Sequence, residues 1–168
     1  MKRPTQAQLK GMLNYLPSTG DFFWRKCPGF NKGFRDGTKA GSKRDRYYVI
    51  QINGRAYQAG IIAWVWMTGE YPKNKIDHRD RDTFNNRWLN LREATHSQNN
   101  ANRIFRKRKQ NLPRGVSQIK RPYKVSKPYE AAIKVNKKSI WLGLYKTPEE
   151  AHSAYLAAAK KHFGEFSI

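Results

Sequence analysis

Residues 75–103, KIDHRDRDTFNNRWLNLREATHSQNNANR, constrain the fold more than any other stretch. Ile76 to Arg79 reads as one strand and Leu89 to Arg92 as a second, with a long polar turn between them. Thr95 is a good N-cap for a helix carrying Ser97 to Arg103. The segment therefore predicts strand, loop, strand and helix in about thirty residues, too short and too polar for a self-sufficient core. Other elements must supply the apolar support.

Those elements are legible on both sides. Thr5-Gln6-Ala7-Gln8 is a capping box, followed at helical spacing by Leu9, Met12, Leu13 and Leu16. Pro17-Ser18-Thr19-Gly20 ends that helix, and Asp21 to Lys26 is a short strand. Residues 27–45 are rich in Gly, Lys and Arg and read as a loop. Tyr47 to Ile52, Asn53-Gly54 and Arg55 to Ala59 predict a β-hairpin with its turn. Ile61 to Met67 is apolar on every side, which predicts a buried helix closed by Gly69 and Pro72. Residues 104–113, IFRKRKQNLP, read as a basic linker or as a continuation of the preceding helix through Lys109. Beyond it come three strands, Gly115 to Ile119, Tyr129 to Val135 and Ser139 to Tyr145. A helix follows, with Thr147 as cap, Pro148 in the first turn and Gly164 as stop.

Charge selects the class of partner. The chain has 168 residues and a formal net charge of +22. Residues 1–103 and 104–168 each carry +11, so the charge is not confined to a tail. Such a surface repels itself unless a polyanion neutralises it, which points to nucleic acid. No run of apolar residues is long enough to span a membrane, and no basic amphipathic helix suits a membrane surface. Cys27 is the single cysteine, so neither an internal disulfide nor a cysteine metal cluster is expected, and MKRPTQAQ lacks the apolar segment of a secretory signal. A cytoplasmic protein is expected.

Hydrolysis of a phosphodiester needs a base for the attacking water, stabilisation of the leaving oxygen and an offset for the phosphate charge. His78 is the candidate base. Asp77 offers an anionic oxygen to a divalent ion, and an asparagine amide offers a neutral one. Hard oxygen donors of this kind suit Mg²⁺, with Mn²⁺ as the alternative. Neighbouring residues on a regular strand point to opposite faces, so Asp77 and His78 share a site only if the strand bends or ends there.

Asp77-His78, then Asn90 in Asn90-Leu91-Arg92, then Asn99, together with the ordered set Ile-Asp-His, Asn-Leu-Arg, Ala-Thr, Gln-Asn and Asn, resemble the HNH nucleases, specifically the phage homing-endonuclease branch. Tyr15, Gly20, Ala40-Gly41 and the Tyr47 to Tyr57 hairpin extend the likeness over residues 10–103. The resemblance implies a ββα-metal nuclease fold around one metal ion. It assigns Asp77 and Asn99 to the metal, His78 to the general base and Asn90 to holding the His78 ring. It also implies a phage-encoded protein acting in a bacterial host. One departure stands out: Ala59-Gly60-Ile61-Ile62-Ala63-Trp64 replaces the usual Ala-His-Arg-Leu-Ala-Trp.

Arg114-Gly115-Val116, Tyr129, Ala131, Ile133, Trp141-Leu142-Gly143, Thr147-Pro148-Glu149-Glu150-Ala151, Ala154-Tyr155 and Gly164 resemble the Apetala/ethylene-response-factor DNA-binding domain. That resemblance implies a three-stranded sheet laid in the major groove and backed by a helix. It implies DNA contacts from Arg114, Lys120, Lys134, Lys138 and Trp141; for Trp141, core packing is the competing reading. Arg44, Arg46, Arg92 and Arg103 are further candidate DNA contacts.

His96 stands either near the metal or as a solvated group. Asp80 and Asp82 read as loop residues with Arg partners, Trp64 and Trp66 as core, and His152 and His162 as surface groups. The overall expectation is an α+β chain: an HNH nuclease domain over 1–103, a linker over 104–113 and an Apetala-type domain over 114–168, cutting double-stranded DNA site-specifically. One active site per chain cuts one strand at a time, so a double-strand break needs a homodimer or two successive events. The rival readings are a non-catalytic DNA-binding protein derived from a nuclease and, more weakly, an RNA-binding protein.

Overall fold

A computed structural model describes residues 3–25, 37–103, 112–120 and 126–167. Cys27 and residues 104–111 of the expected linker lie outside this set. The chain is mixed α and β, with small antiparallel sheets, and divides into two compact units, residues 1–93 and 94–168. The division falls before the boundary expected after Arg103.

The first unit opens with α1 (Gln6–Met12), held by the predicted capping box between Thr5 and Gln8. The helix is shorter than its Leu pattern suggests. Leu13–Leu16 is instead β1, pairing with β2 (Asp21–Trp24) around the Pro17–Gly20 turn. Strand alternation explains the exchange: Leu13 and Tyr15 are buried and Asn14 and Leu16 exposed, a period of two that the helical reading missed. A three-stranded sheet follows, β3 (Ser42–Arg44), β4 (Tyr47–Ile52) and β5 (Arg55–Gln58). Asn53 and Gly54 both have positive φ, 49° and 74°, as the tight turn requires. β3 lies within the stretch expected to be loop.

α2 (Ala59–Thr68) is the predicted apolar helix, stopped by Gly69, whose N–H donates to the Val65 carbonyl. Ile62, Ala63 and Val65 pack with Leu9, Leu13, Phe22 and Ile50 in one core. The remaining pair is β6 (Lys75–His78) and β7 (Leu91–Ala94). The second predicted strand thus begins later than expected. Trp88–Asn90 is a 3-10 turn, and its Leu89 is 86% exposed.

In the second unit, α3 (His96–Asn102) carries the predicted Thr95 cap, reinforced by Gln98 as a capping box. β8 (Val116–Gln118), β9 (Tyr129–Val135) and β10 (Lys138–Tyr145) form an antiparallel sheet in the order β10-β9-β8. α4 (Pro148–Phe163) packs on it through Ala151, Tyr155 and Ala159. Ala94 and Ala101 join Ile133, Tyr155, Phe163 and Phe166 in one cluster. The Arg114 guanidinium donates to the carbonyls of Asn100 and Ala101, both at 2.6 Å, and so caps the end of α3. These contacts make α3 part of the second unit.

Phe22 is fully buried and stacks on Tyr15 at a centroid distance of 4.6 Å. Phe22→Ala is expected to lower stability by about 3–5 kcal/mol, read from chemical denaturation of the full chain.

Candidate active site

β6 ends at His78, and its last two residues are both buried. Both side chains are internal: Asp77 and His78 are each 6% exposed. Asp77 Oδ2 accepts from Arg92 Nε at 2.9 Å, a buried ion pair between β6 and β7. The expectation that Arg92 contacts DNA is therefore corrected: its guanidinium is enclosed and bonded to Asp77.

Asn90 closes the loop between the two strands. Its Nδ2 donates to Asp80 Oδ1 at 2.9 Å and to the Asn85 carbonyl at 2.8 Å. Its Oδ1 accepts from the Asp80 N–H at 3.0 Å, and its own carbonyl accepts from the Arg79 N–H at 2.9 Å. Both amide protons are thereby engaged. A second amide stands at the His78 ring: Asn86 Oδ1 lies 3.2 Å from His78 Nε2, and Asn86 is 3% exposed. Sequence reasoning missed Asn86. The signal available was its position in the Asn85-Asn86 pair, since short amides stabilise non-helical turns.

Asp80 and Asp82 are loop residues as expected, and amide N–H groups donate to both. Asn85 Nδ2 donates to Asp80 Oδ2 at 2.6 Å, the Asp82 N–H to Asp80 Oδ1 at 2.9 Å, and the Phe84 N–H to Asp82 Oδ1 at 2.9 Å. Burial alone would raise the Asp80 carboxyl. Hydrogen bonds from Asn90, Asn85 and the Asp82 backbone, with the nearby His78, outweigh it and hold the carboxyl below its ordinary value.

The first hairpin braces the loop from behind. The Tyr15 hydroxyl donates to the Asn86 carbonyl at 2.6 Å, and the Trp88 N–H donates to the Pro17 carbonyl at 2.9 Å. Burial pushes the Tyr15 phenol well above its usual value, so it remains a donor. Gly20 has φ +80°, and a Cβ there would lie 2.5 Å from the Arg87 nitrogen and the Asn86 carbonyl carbon. Only glycine lets this turn rest on the loop.

The remaining candidates divide. Asn99 is half-buried on α3, and His96 on the same helix is exposed with Nε2 2.9 Å from Asn100 Nδ2. Arg44, Arg46, Arg103, Lys120, Lys134 and Lys138 are exposed, and Trp141 is 63% exposed, so core packing does not account for it. Lys134 pairs with Ser139 and Ala132 with Trp141, which puts Lys134 and Trp141 on the sheet face away from the buried Ala131 and Ile133. Lys138, opposite Val135, belongs to the other face. Arg114, expected on DNA, is instead bonded to the end of α3. His152, expected at the surface, is half-buried with Nδ1 2.9 Å from the Arg114 carbonyl. Trp64 and Trp66 are partly buried as expected; Trp66 meets Tyr15 edge-on.

Removing one member of a buried ion pair strands the other. Arg92→Ala should therefore cost about 3–5 kcal/mol, measured by denaturant unfolding. Acid should loosen the loop. Because the Asp80 carboxyl is depressed in the folded state, its stabilising contribution is present above the unfolded value of about 4 and is lost as pH falls through the lower folded value. Amide hydrogen exchange across residues 79–90 should accelerate in that window beyond its intrinsic pH dependence, and Asp80→Asn should abolish the effect.

A protein-family model described as HNH endonuclease matches residues 57–101. The matched span runs from β5 through α2, β6 and β7 to α3, and so contains Asp77, His78, Asn86, Asn90 and Asn99. No curated protein and no solved structure matches the chain. Residues 57–101 are thus similar to HNH endonucleases, a likeness that suggests a nuclease-type function.

Proposed function

We propose that this chain is a metal-dependent, site-specific DNA endonuclease of the phage homing type. The observation that carries the reading is His78, enclosed at the end of β6 beside Asp77 and an amide-held loop, within the span that matches the HNH family. His78 is the general base that takes a proton from the attacking water. The water oxygen bonds to phosphorus, the bond to the 3′ oxygen breaks, and the products are a 5′ phosphate and a 3′ hydroxyl.

A divalent ion, Mg²⁺ or Mn²⁺, would offset the phosphate charge and stabilise the leaving oxygen. By their positions in the motif, Asp77 and Asn99 would hold it. The donor chemistry fits: a carboxylate and an amide are hard oxygen donors. No group of three or more His, Cys, Asp or Glu side chains gathers among the described residues, so phosphate and water would complete the shell.

The net charge of +22 supports double-stranded DNA as partner. Arg44, Arg46 and Arg103 in or beside the nuclease segment, and Lys120, Lys134, Lys138 and Trp141 in the C-terminal Apetala-like module, are the proposed contacts. Two basic modules on one chain raise each other's effective concentration on the duplex. None of the described helices is long and apolar enough to cross a membrane. The buried Asp77–Arg92 pair favours one alternative, a DNA-binding protein in which Asp77 is purely structural.

The test is cleavage of host or phage genomic DNA with Mg²⁺ or Mn²⁺, with EDTA, and with His78→Ala. Metal-dependent cleavage that drops about 10²–10⁴-fold in His78→Ala supports the nuclease. Retardation of DNA without cleavage under either metal supports the binding protein.

A further inference from the structure

The second unit contains a cavity of about 570 Å³ between α3, the β9–β10 turn and α4, and the nuclease reading makes no use of it. Ile133, Tyr155 and Phe163 give it an apolar floor, and all three are buried. Asn100 and Asn136 line its sides, Lys137 lines it as well, and none of its described lining residues is an acid. The space falls within the roughly 300–1,000 Å³ of ordinary small-molecule sites. An apolar floor, neutral amide sides and a cation suit a ligand with a flat apolar body, polar edges and a negative charge.

The walls are fastened to one another. The Asn136 N–H donates to Ser97 Oγ at 3.0 Å, which ties the β9–β10 turn to α3. The Arg114 guanidinium, bonded to the Asn100 and Ala101 carbonyls, fixes the other end of α3, and its Cζ stands 5.9 Å from the Tyr155 ring centroid.

Lys137 points to the ligand. The β9–β10 turn holds two residues at positive φ, Asn136 at 48° and Lys137 at 69°. The β4–β5 turn has nearly the same angles, with Asn53 at 49° and Gly54 at 74°. Glycine is the favoured second residue of such a turn, because a Cβ there is strained. One turn of the chain thus carries the unstrained residue, and the other carries a lysine at the cavity.

We propose that this cavity binds a nucleotide. The base lies on the floor of Ile133, Tyr155 and Phe163, its edges meet the Asn100 and Asn136 amides, and its phosphate pairs with Lys137. The nucleotide is either free or an unpaired residue of a DNA strand, since both offer the same base and phosphate. The proposal goes beyond the nuclease reading and does not depend on cleavage.

A ¹H–¹⁵N titration of the full chain at constant ionic strength tests it, with deoxyadenosine 5′-monophosphate as the probe. The nucleotide should shift the amides of residues 95–101 and 133–137 saturably. Inorganic phosphate lacks the base and should bind there at least about tenfold more weakly. Lys137→Gly should weaken nucleotide binding about tenfold. The same variant should keep or raise the denaturant midpoint, since its turn admits glycine freely. Lys137→Arg should retain binding. Lys161→Ala removes a charge from the exposed surface of α4, outside the cavity, and should change the affinity by less than about twofold.

A deoxyadenosine trinucleotide distinguishes the two sources. Binding at the same amides at least as tight as the monomer's assigns the cavity to an unpaired strand, and weaker binding assigns it to a free nucleotide. The proposal is overturned if neither nucleotide shifts these amides saturably, if inorganic phosphate binds as well as the monomer, or if Lys137→Gly leaves the affinity unchanged.

Discussion

The hydrogen bonds of Asn90 hold together the part of the molecule on which its chemistry depends. A loop joining β6 to β7 has little apolar material with which to fold itself. Asn90 compensates by bonding its side chain to the Asp80 backbone, the Asp80 carboxylate and the Asn85 carbonyl, while its own carbonyl takes the Arg79 N–H. One neutral residue thus gathers both ends of the loop without adding charge. A lysine in that place would offer no acceptor to the Asp80 N–H, and a carboxylate no donor to the Asp80 carboxylate or the Asn85 carbonyl. The asparagines between β6 and β7 fasten the loop through hydrogen bonds within it.

Around this fastener the first unit is arranged in layers of support. The β1–β2 hairpin bonds to the loop through Tyr15 and Pro17, with Phe22 stacked behind Tyr15. α2 presents Gly60 toward His78 and buries Ile62, Ala63 and Val65 in the core. The Asp77–Arg92 pair ties β6 to β7 just below the loop. Buried ion pairs rarely add net stability compared with apolar packing. Here the pair links β6 to β7 and fixes the Asp77 carboxylate.

Much of this was legible in the sequence, for physical reasons that can be named. The capping boxes at Thr5 and Thr95, the Asn53-Gly54 turn, α2 and α4 are set by local chemistry, and the structure follows them closely. Asp77 and His78 stand out because they head a spaced set continued by Asn90 and Asn99; an isolated acid–imidazole pair would signal little. What escaped was set by tertiary pairing. Leu13 and Leu16 fit a helix until β2 offers a hydrogen-bonding partner. Arg92 and Arg114 look like DNA contacts until burial and neighbouring carbonyls claim them. Asn86 looked like one more turn residue, because nothing in sequence spacing tells which of several amides reaches the imidazole.

In the proposed nuclease, a loop held by Asn90 presents His78 for phosphodiester hydrolysis. The most direct measurement follows loop protection and chemistry in one variant: amide hydrogen exchange over residues 79–90 and single-turnover DNA cleavage, both in Asn90→Ala. Protection and cleavage rate should fall together while DNA affinity stays near wild type. Wild-type cleavage with an unprotected loop would contradict it.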